Sequence, residues 1–310
     1  MKCSICGKRA VIYRKHEGKA LCKDHLIKDL KKRFSKNLRK YKMIKRGEKV
    51  AVGISGGKDS SLLLKFLKEK ADKQNYFQVE AILIDEGIKG YRDVTKKYAI
   101  KLCDELGVKL HIKSFKEEFG YSLDEMIKIE KRKGYKIHPC TYCGAFRRYL
   151  LNKAAKEINA DKLAIAHNLD DEVQSIMSNY LKGDLLRAAR LGYVPHILKD
   201  KKFVVRIKPF RDIPEKEIML AALLMKIPHS IIECPYISDA FRMDVLKFVN
   251  YFEDRYPGTK YSILRTFDKI LPAIKKSINL DKINYCKICG EPTSQEICKA
   301  CVLLERLREK

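Results

Sequence analysis

Lys49-Val50-Ala51-Val52-Gly53-Ile54-Ser55-Gly56-Gly57-Lys58-Asp59-Ser60 decides the fold of this 310-residue chain. Lys49–Gly53 reads as a short apolar strand, Gly56-Gly57 as a tight turn, and Ser60-Ser61-Leu62-Leu63-Leu64 as a helix start. Such a turn presents backbone N–H groups at a helix N-terminus, where the peptide dipoles also favour negative charge, so it suits a phosphate. Paired glycines let the backbone approach an anion closely. Ser55 and Ser60 add hydroxyl donors, and Lys58 adds a cation. Two widespread phosphate loops do not fit. One needs Gly, four residues, then Gly-Lys-Ser/Thr, and counting from Gly53 puts Lys58 where the second Gly belongs. The dinucleotide pattern Gly-x-Gly-x-x-Gly fails at Ser55. What remains is Ser-Gly-Gly-x-Asp-Ser. The competing reading is a glycine turn with no ligand, and the strand before and helix after weigh against it.

Outward from this stretch, strand and helix alternate. Strands are expected over Val79–Ile84, Val108–Ser114 and Leu163–Ala166, and helices over Tyr91–Leu106, Leu150–Ile158 and Asp170–Leu181. That order predicts an α/β fold, a doubly wound parallel sheet. Ligands of such sheets sit beyond the carboxyl ends of the strands. Gly53–Ser60, Asp85–Gly87 and His167–Asp171 all fall there, so three distant segments converge on one crevice. After Phe210 the pattern turns helical, over Glu215–Lys226 with Asp212 as a cap, Phe241–Arg255 and Ile263–Lys276.

The charge is lopsided, with 66 Lys and Arg against 39 Asp and Glu, a net +27. A solvated surface usually balances its signs, so the excess points to a polyanionic partner, nucleic acid first. Leu26, Leu30, Phe34, Leu38 and Tyr41 recur at helical spacing inside a run of Lys and Arg, giving a basic amphipathic helix whose charged face suits RNA. With 45% apolar residues the chain should fold as a large core with appendages. No apolar run approaches the ~20 residues of a membrane span, and Met1-Lys2-Cys3 opens no signal sequence, so a soluble cytoplasmic protein without membrane contact is expected. Abundant Lys, Ile and Glu without Trp suggest a thermophile.

Eleven cysteines are the second outlier, and in a cytosolic chain they favour metal over disulfides. Cys3, Cys6, Cys22 and His25 form two close pairs, as do Cys286, Cys289, Cys298 and Cys301. Soft ligands so spaced suit tetrahedral Zn²⁺, and because protein fills every position both sites read as structural. Cys103 sits among Leu102 and Leu106 as a buried small hydrophobe. Cys140, Cys143 and Cys234 remain. Cys140 and Cys143 precede a helix, a position that lowers a thiol pKa and makes a better nucleophile or ligand. The resulting layout is a zinc finger over 1–27, a basic helical linker over 28–48, a catalytic domain over 49–210, a helical extension over 211–282 and a second zinc finger over 283–310.

Ser55–Ser60 resembles the pyrophosphate loop of the ATP pyrophosphatases, which split ATP to AMP and pyrophosphate. Together with both zinc quartets, Pro139-Cys140-Thr141-Tyr142-Cys143-Gly144, His167-Asn168-Leu169-Asp170-Asp171 and Glu233-Cys234-Pro235, it makes the whole chain similar to the tRNA 2-thiouridine synthetases with zinc fingers at both ends. The resemblance implies that ATP activates a tRNA uridine, most readily in the T-loop with the wobble position as the alternative, and that sulfur then replaces the C2 oxygen. An ATP pyrophosphatase acting on a small molecule is the other-class alternative. The resemblance implies a [4Fe-4S] cluster on Cys140, Cys143 and Cys234, with an open iron for sulfide; a persulfide and resolving-thiol route is the rival. ATP would lie on Gly53, Ser55, Gly56, Gly57, Lys58 and Ser60 with Ile84, Ala166 and Asp171, and Mg²⁺ on Asp59 or Asp171. Lys58 and Arg147 would stabilise phosphate charge, and Asp171 would be the essential acid, with its neighbour Asp170 as the alternative. A ubiquitin-like sulfur carrier ending in a thiocarboxylate and a homodimer complete the expected partners. His167 reads equally as a packing residue or an adenine contact, and His111, His196 and His229 as structural.

Overall fold

The structure is a computed structural model and describes the chain except for residues 135–137, 195–201, 238–239, 279–283, 294 and 309–310 and the side chain at 240. His196 and the expected 282/283 boundary lie outside the described residues. The first knuckle leads into an antiparallel hairpin, β1 (Ile12–Arg14) and β2 (Lys19–Leu21), and then into α1 (Lys23–Lys40). Leu26, Leu30, Phe34 and Leu38 recur four apart and are buried on one face of α1, which packs into the main core. Lys28, Lys32, Lys36, Arg39 and Lys40 stay exposed. Arg33 turns inward instead, donating to the Tyr261 hydroxyl at 3.0 Å and to the Asp212 carbonyl.

Five parallel strands form the central sheet: β3 (Lys49–Gly53), β4 (Gln78–Asp85), β5 (Leu110–Ser114), β6 (Lys162–Ala164) and β7 (Val205–Ile207), in the order β5-β4-β3-β6-β7. The strand alternation sorts side chains by face. Val50, Val52, Ala81, Leu83, Ala164 and Ile207 meet α1, α2 (Lys58–Gln74), α3 (Arg92–Leu106) and, later in the chain, the helix at Glu215–Leu224. Ala51, Ile82, Ile84 and Leu163 meet α4 (Phe115–Phe119), α5 (Leu123–Arg132) and α6 (Pro139–Glu157). Cys103 is buried in the first of these cores, and burial pushes its thiol up to about 12. Because the chain runs outward from β3 to β5 and then crosses to β6, the switch point falls between β3 and β6, where a crevice opens.

A third core joins α7 (Leu169–Leu181) and α8 (Leu185–Ala189) to α10 (Ala240–Arg255) and α11 (Thr259–Ser277), with α9 (Glu215–Leu224) lying on α2. The C-terminal module has β8 (Asn284–Tyr285), β9 (Pro292–Thr293) and α12 (Lys299–Arg308). Among the described residues no helix is long and apolar enough to cross a membrane.

Two expectations need correction, and one strand lay outside them. Asp212 does not cap α9. Its carboxylate is taken by Asn37 Nδ2 at 2.6 Å, Pro214 stands at the N-cap, and Asp170 accepts the Glu215 N–H at 2.8 Å. The helix expected at Leu150 begins at Pro139, because proline is preset for a first turn and the His138 side chain accepts the Cys140 N–H. β7 was not expected, since Arg206 interrupts a very short apolar run.

Candidate active site

The phosphate loop leaves β3 at the switch point. Gly57 is the N-cap of α2 and offers no side-chain acceptor, so the first N–H groups of α2 face the crevice uncapped. Ser55 and Ser60 hydroxyls lie 3.0 Å apart, and Ser60 Oγ accepts the Ser55 N–H at 3.1 Å, which folds the loop on itself. Gly56 has φ +81°, and a Cβ there would stand 2.0 Å from the Thr95 carbonyl oxygen on α3. Only glycine fits.

Carboxylates gather opposite the loop. Asn168 caps α7, accepting the Asp171 N–H at 3.0 Å, while Asp171 Oδ2 accepts the Asn168 N–H at 3.1 Å. Asn168 Nδ2 also donates to Asp59 Oδ1 at 3.2 Å, joining the His167–Asp171 segment to the loop. Burial, then the nearby Asp59, Glu215 and Glu172, pushes Asp171 up to about 7. Burial likewise raises Asp59, against the pull of Lys58. Two neighbouring half-buried carboxylates that resist ionisation are suited to a divalent cation. Lys58 bonds Glu215 at 2.6 Å and Asp59 at 3.1 Å; burial works against its charge, and those two carboxylates raise its pKa on balance. Asp170 points away, to Lys260 and the N-terminus of α9. Ile84 is buried in the core on the α6 side and Ala166 packs on the opposite face, so any contact of Ile84 with a nucleotide falls to its main chain. His167 is half-exposed at the strand end, 3.9 Å from Glu172. His111 pairs with Glu80 at 2.6 Å, and His229 Nδ1 lies 2.7 Å from the Ile227 carbonyl.

Cys140, Cys143 and Cys234 come together beside this crevice, and none is in a disulfide. Cys140 Sγ donates to the Tyr236 carbonyl at 3.5 Å. Cys143 does not show the lowered pKa expected of a helix N-terminus. Burial lifts it to about 11, with Glu86, Cys234 and Cys140 adding to the rise against Arg147. Three thiols on one side of the crevice, Cys140 exposed and Cys143 and Cys234 half-buried, are a soft-donor set for a cationic metal cluster, and with no fourth cysteine beside them among the described residues they fit a cluster that has one iron without a protein ligand.

Sequence reasoning missed what connects the two sites. Glu86, 0% exposed, lies between two guanidiniums: Arg92 donates to it at 2.6 Å and Arg147 lies 2.6 Å away. Arg92 also donates to the Ser55 carbonyl at 2.8 Å, and Arg147 to Cys143 Sγ at 3.1 Å. Arg147, expected on a phosphate, thus stands between Glu86 and a thiol. A second link is backbone: Gly57 pairs with Ser230 in a parallel bridge, the Ser230 N–H donating to the Gly56 carbonyl at 2.8 Å. Its place in Asp85–Gly87, at a strand end, is the one signal in the sequence for Glu86.

The terminal quartets close up as expected. In each, four ligand atoms lie within 4.8 Å of one another. Cys6 and Cys22 sulfurs are 3.7 Å apart, and Cys289 and Cys298 3.6 Å. A tetrahedron with Zn–S of about 2.3 Å needs sulfurs about 3.8 Å apart, so Zn²⁺ fits both sets. Gly7 and Gly290 turn the knuckles, with φ of +72° and +68°.

A parallel sheet with a glycine phosphate loop at its switch point, flanked by two zinc modules, defines a PP-loop protein. The PP-loop domain model matches residues 26–222, the N-terminal LIM domain model of the 2-thiouridine synthetase TtuA matches 2–27, and a zinc-ribbon model matches 284–310. The chain belongs to the PP-loop family and, within it, to the tRNA 2-thiolation sulfurtransferases. It is 40% identical to a probable sulfurtransferase of Methanocaldococcus jannaschii, over 100% of this chain and 89% of that one. It is 33% identical to the tRNA-5-methyluridine(54) 2-sulfurtransferase of Pyrococcus horikoshii, over 97% and 93%. The solved U34-tRNA thiolase NcsA of Methanococcus maripaludis, with its [4Fe-4S] cluster, aligns with a TM-score of 0.85 at 38% identity, covering 99% of this chain and 96% of that one.

Proposed function

We propose that this enzyme 2-thiolates a uridine of tRNA, with ATP split to AMP and pyrophosphate. The observation that carries the reading is the joining of a phosphate loop and a three-thiol site through one buried carboxylate, Glu86. ATP lies with its phosphates on the N–H groups of the loop and of α2, and Lys58 exchanges Glu215 for a phosphate oxygen. Asp59 and Asp171 hold Mg²⁺. The uridine is unstacked from its loop. Its C2 oxygen attacks the α-phosphorus; the C2–O–P bond forms and the bond to the β-phosphate bridging oxygen breaks, releasing pyrophosphate. Sulfide then adds at C2 and AMP leaves with the former uridine oxygen, so a poor leaving group has become a good one. Cys140, Cys143 and Cys234 hold the cluster, which supplies an iron able to carry sulfide. Arg147 keeps Cys143 in place and meets the charge of the departing AMP.

The T-loop reading is supported by the TtuA-type N-terminal model and the methyluridine-54 relative; the wobble reading is supported by the U34 thiolase. We place the enzyme in the cytoplasm, as the name of its relatives, cytoplasmic tRNA 2-thiolation protein 1, suggests. The sulfur source is a carrier ending in a thiocarboxylate, and the enzyme works as a homodimer. The test is anaerobic incubation of reconstituted protein with ATP, sulfide and tRNA, followed by nucleoside mass spectrometry of fragments spanning positions 34 and 54. AMP formation that requires tRNA, with 2-thiouridine at one of the two positions, is expected. Turnover on a small amide acceptor, indifferent to tRNA, would sink the reading. Thiolation with the carrier in place of sulfide, and sedimentation at the dimer mass, test the two partners.

A further inference from the structure

Four arginines crowd one side of the three-thiol site with few carboxylates to match. Arg206 projects from β7 on the α6 side of the sheet, the side of its register partner Leu163, and donates to the Arg148 carbonyl at 3.3 Å. Arg148 lies exposed on α6, its guanidinium laid against Gly144, next to Cys143. Arg187 on α8 and Arg190 just beyond it are near enough to Arg148 to repel it, as is Arg147. Among the described residues the one carboxylate bonded to any of Arg148, Arg187, Arg190 and Arg206 is Asp184, 3.2 Å from Arg187 Nε. Partial desolvation of the guanidinium among its neighbours, then Arg187, Arg147 and Arg190, lowers the Arg148 pKa; desolvation, then Arg148, brings Arg206 down to about 10. A guanidinium keeps its proton near neutral pH, so the group carries this repulsion until an anion relieves it. Planar forks of N–H donors match phosphate oxygens in pairs. The four are spread over α6, α8 and the residue after it, and β7, which suits successive phosphates along a backbone better than a single ion. Tyr180, Leu185 and Leu186 expose apolar surface on α7 and α8, the kind of face on which unstacked bases rest.

We propose that Arg148, Arg187, Arg190 and Arg206 form a phosphate subsite for the RNA backbone, seating the nucleotides that flank the reacting uridine beside Cys143. This rests on the reading of the substrate as tRNA. The test is a double variant, Arg148→Gln with Arg190→Gln, both exposed, read by fluorescence anisotropy of labelled tRNA across a series of salt concentrations. ATP affinity and melting temperature are followed alongside. Expected are a loss of tRNA affinity of about tenfold at low salt and a slope of log K against log salt shallower by about one per guanidinium removed. ATP affinity should hold, and the melting temperature should not fall, because a repulsion has been removed. An unchanged slope overturns the subsite, as does a matching loss of ATP affinity. Inorganic pyrophosphate is the second arm: weakened pyrophosphate binding with an unchanged tRNA slope reassigns the cluster to a free ion and overturns it too. A wild-type protein that binds no tRNA overturns the substrate reading, and the subsite with it.

Discussion

Asp171 is held near a pKa of about 7 chiefly by burial, against an ordinary carboxylate value of about 4. The folded protein therefore keeps a proton that the unfolded chain releases, and stability falls as pH rises from about 4 to about 7. Asp171→Asn should flatten that part of the pH–stability curve and stabilise the protein at neutral pH by about 2 kcal/mol, while abolishing AMP formation. Thermal melts across the pH range check the sign; a variant less stable than wild type at pH 7 refutes the burial account. Asp170, one residue earlier, belongs to a different structure, so Asp170→Asn should lose stability through α9 and α11 while ATP affinity changes less than in Asp171→Asn. Gly56 is the opposite kind of position. A methyl there meets the Thr95 carbonyl at 2.0 Å in a left-handed backbone, so Gly56→Ala should cost on the order of 3 kcal/mol and dismantle the loop. Denaturant titration with ATP-binding measurements reads both effects.

The link between α3, α6 and the β4 end hangs on one side chain. Glu86→Gln leaves two guanidiniums facing a neutral amide, and removing one partner of a buried ionic set costs about 3 kcal/mol or more. We expect the variant to melt lower and to bind ATP more weakly through Arg92 and Ser55. Calorimetry of ATP binding checks this, and wild-type affinity in Glu86→Gln would mean that the loop needs no such support. This is also where sequence reading reached its limit. β3, α2, β4 and α3 were legible because strand and helix periods are local and Gly56 marks the turn. The first turns of α6 were hidden by a cysteine pair and Gly144, which imitate a loop, and β7 by Arg206, whose charge interrupts a very short run. Glu86 was unreadable in a stronger sense. Its partners Arg92 and Arg147 lie on two other elements, and no local pattern tells a buried glutamate from a solvated one at a strand end.

At the scale of the molecule, the C-terminal zinc module is part of the core. Cys286, Cys298, Cys301, Leu303 and Leu307 pack with Tyr142, Phe146 and Leu150 of α6, and Asn152 donates to Glu291 at 2.9 Å. Zinc ligation is folding energy for such modules. A chelator should therefore lower the melting temperature of the whole catalytic unit, and Cys301→Ser should do the same without one; a scan in which the main transition stays put would show the module to be independent. The quartets themselves were plain from their spacing, whereas their seat beneath α6 was not. The backbone pairing of Gly57 with Ser230 sets a ruler in the chain. One end is pinned to the phosphate loop and the other carries Cys234, four residues on. Side-chain substitutions between these marks leave the measure intact, but a single inserted residue adds up to about 3.3–3.6 Å of extended chain, more than the length of a metal–sulfur bond. Length, rather than composition, is what the segment 230–234 has to conserve.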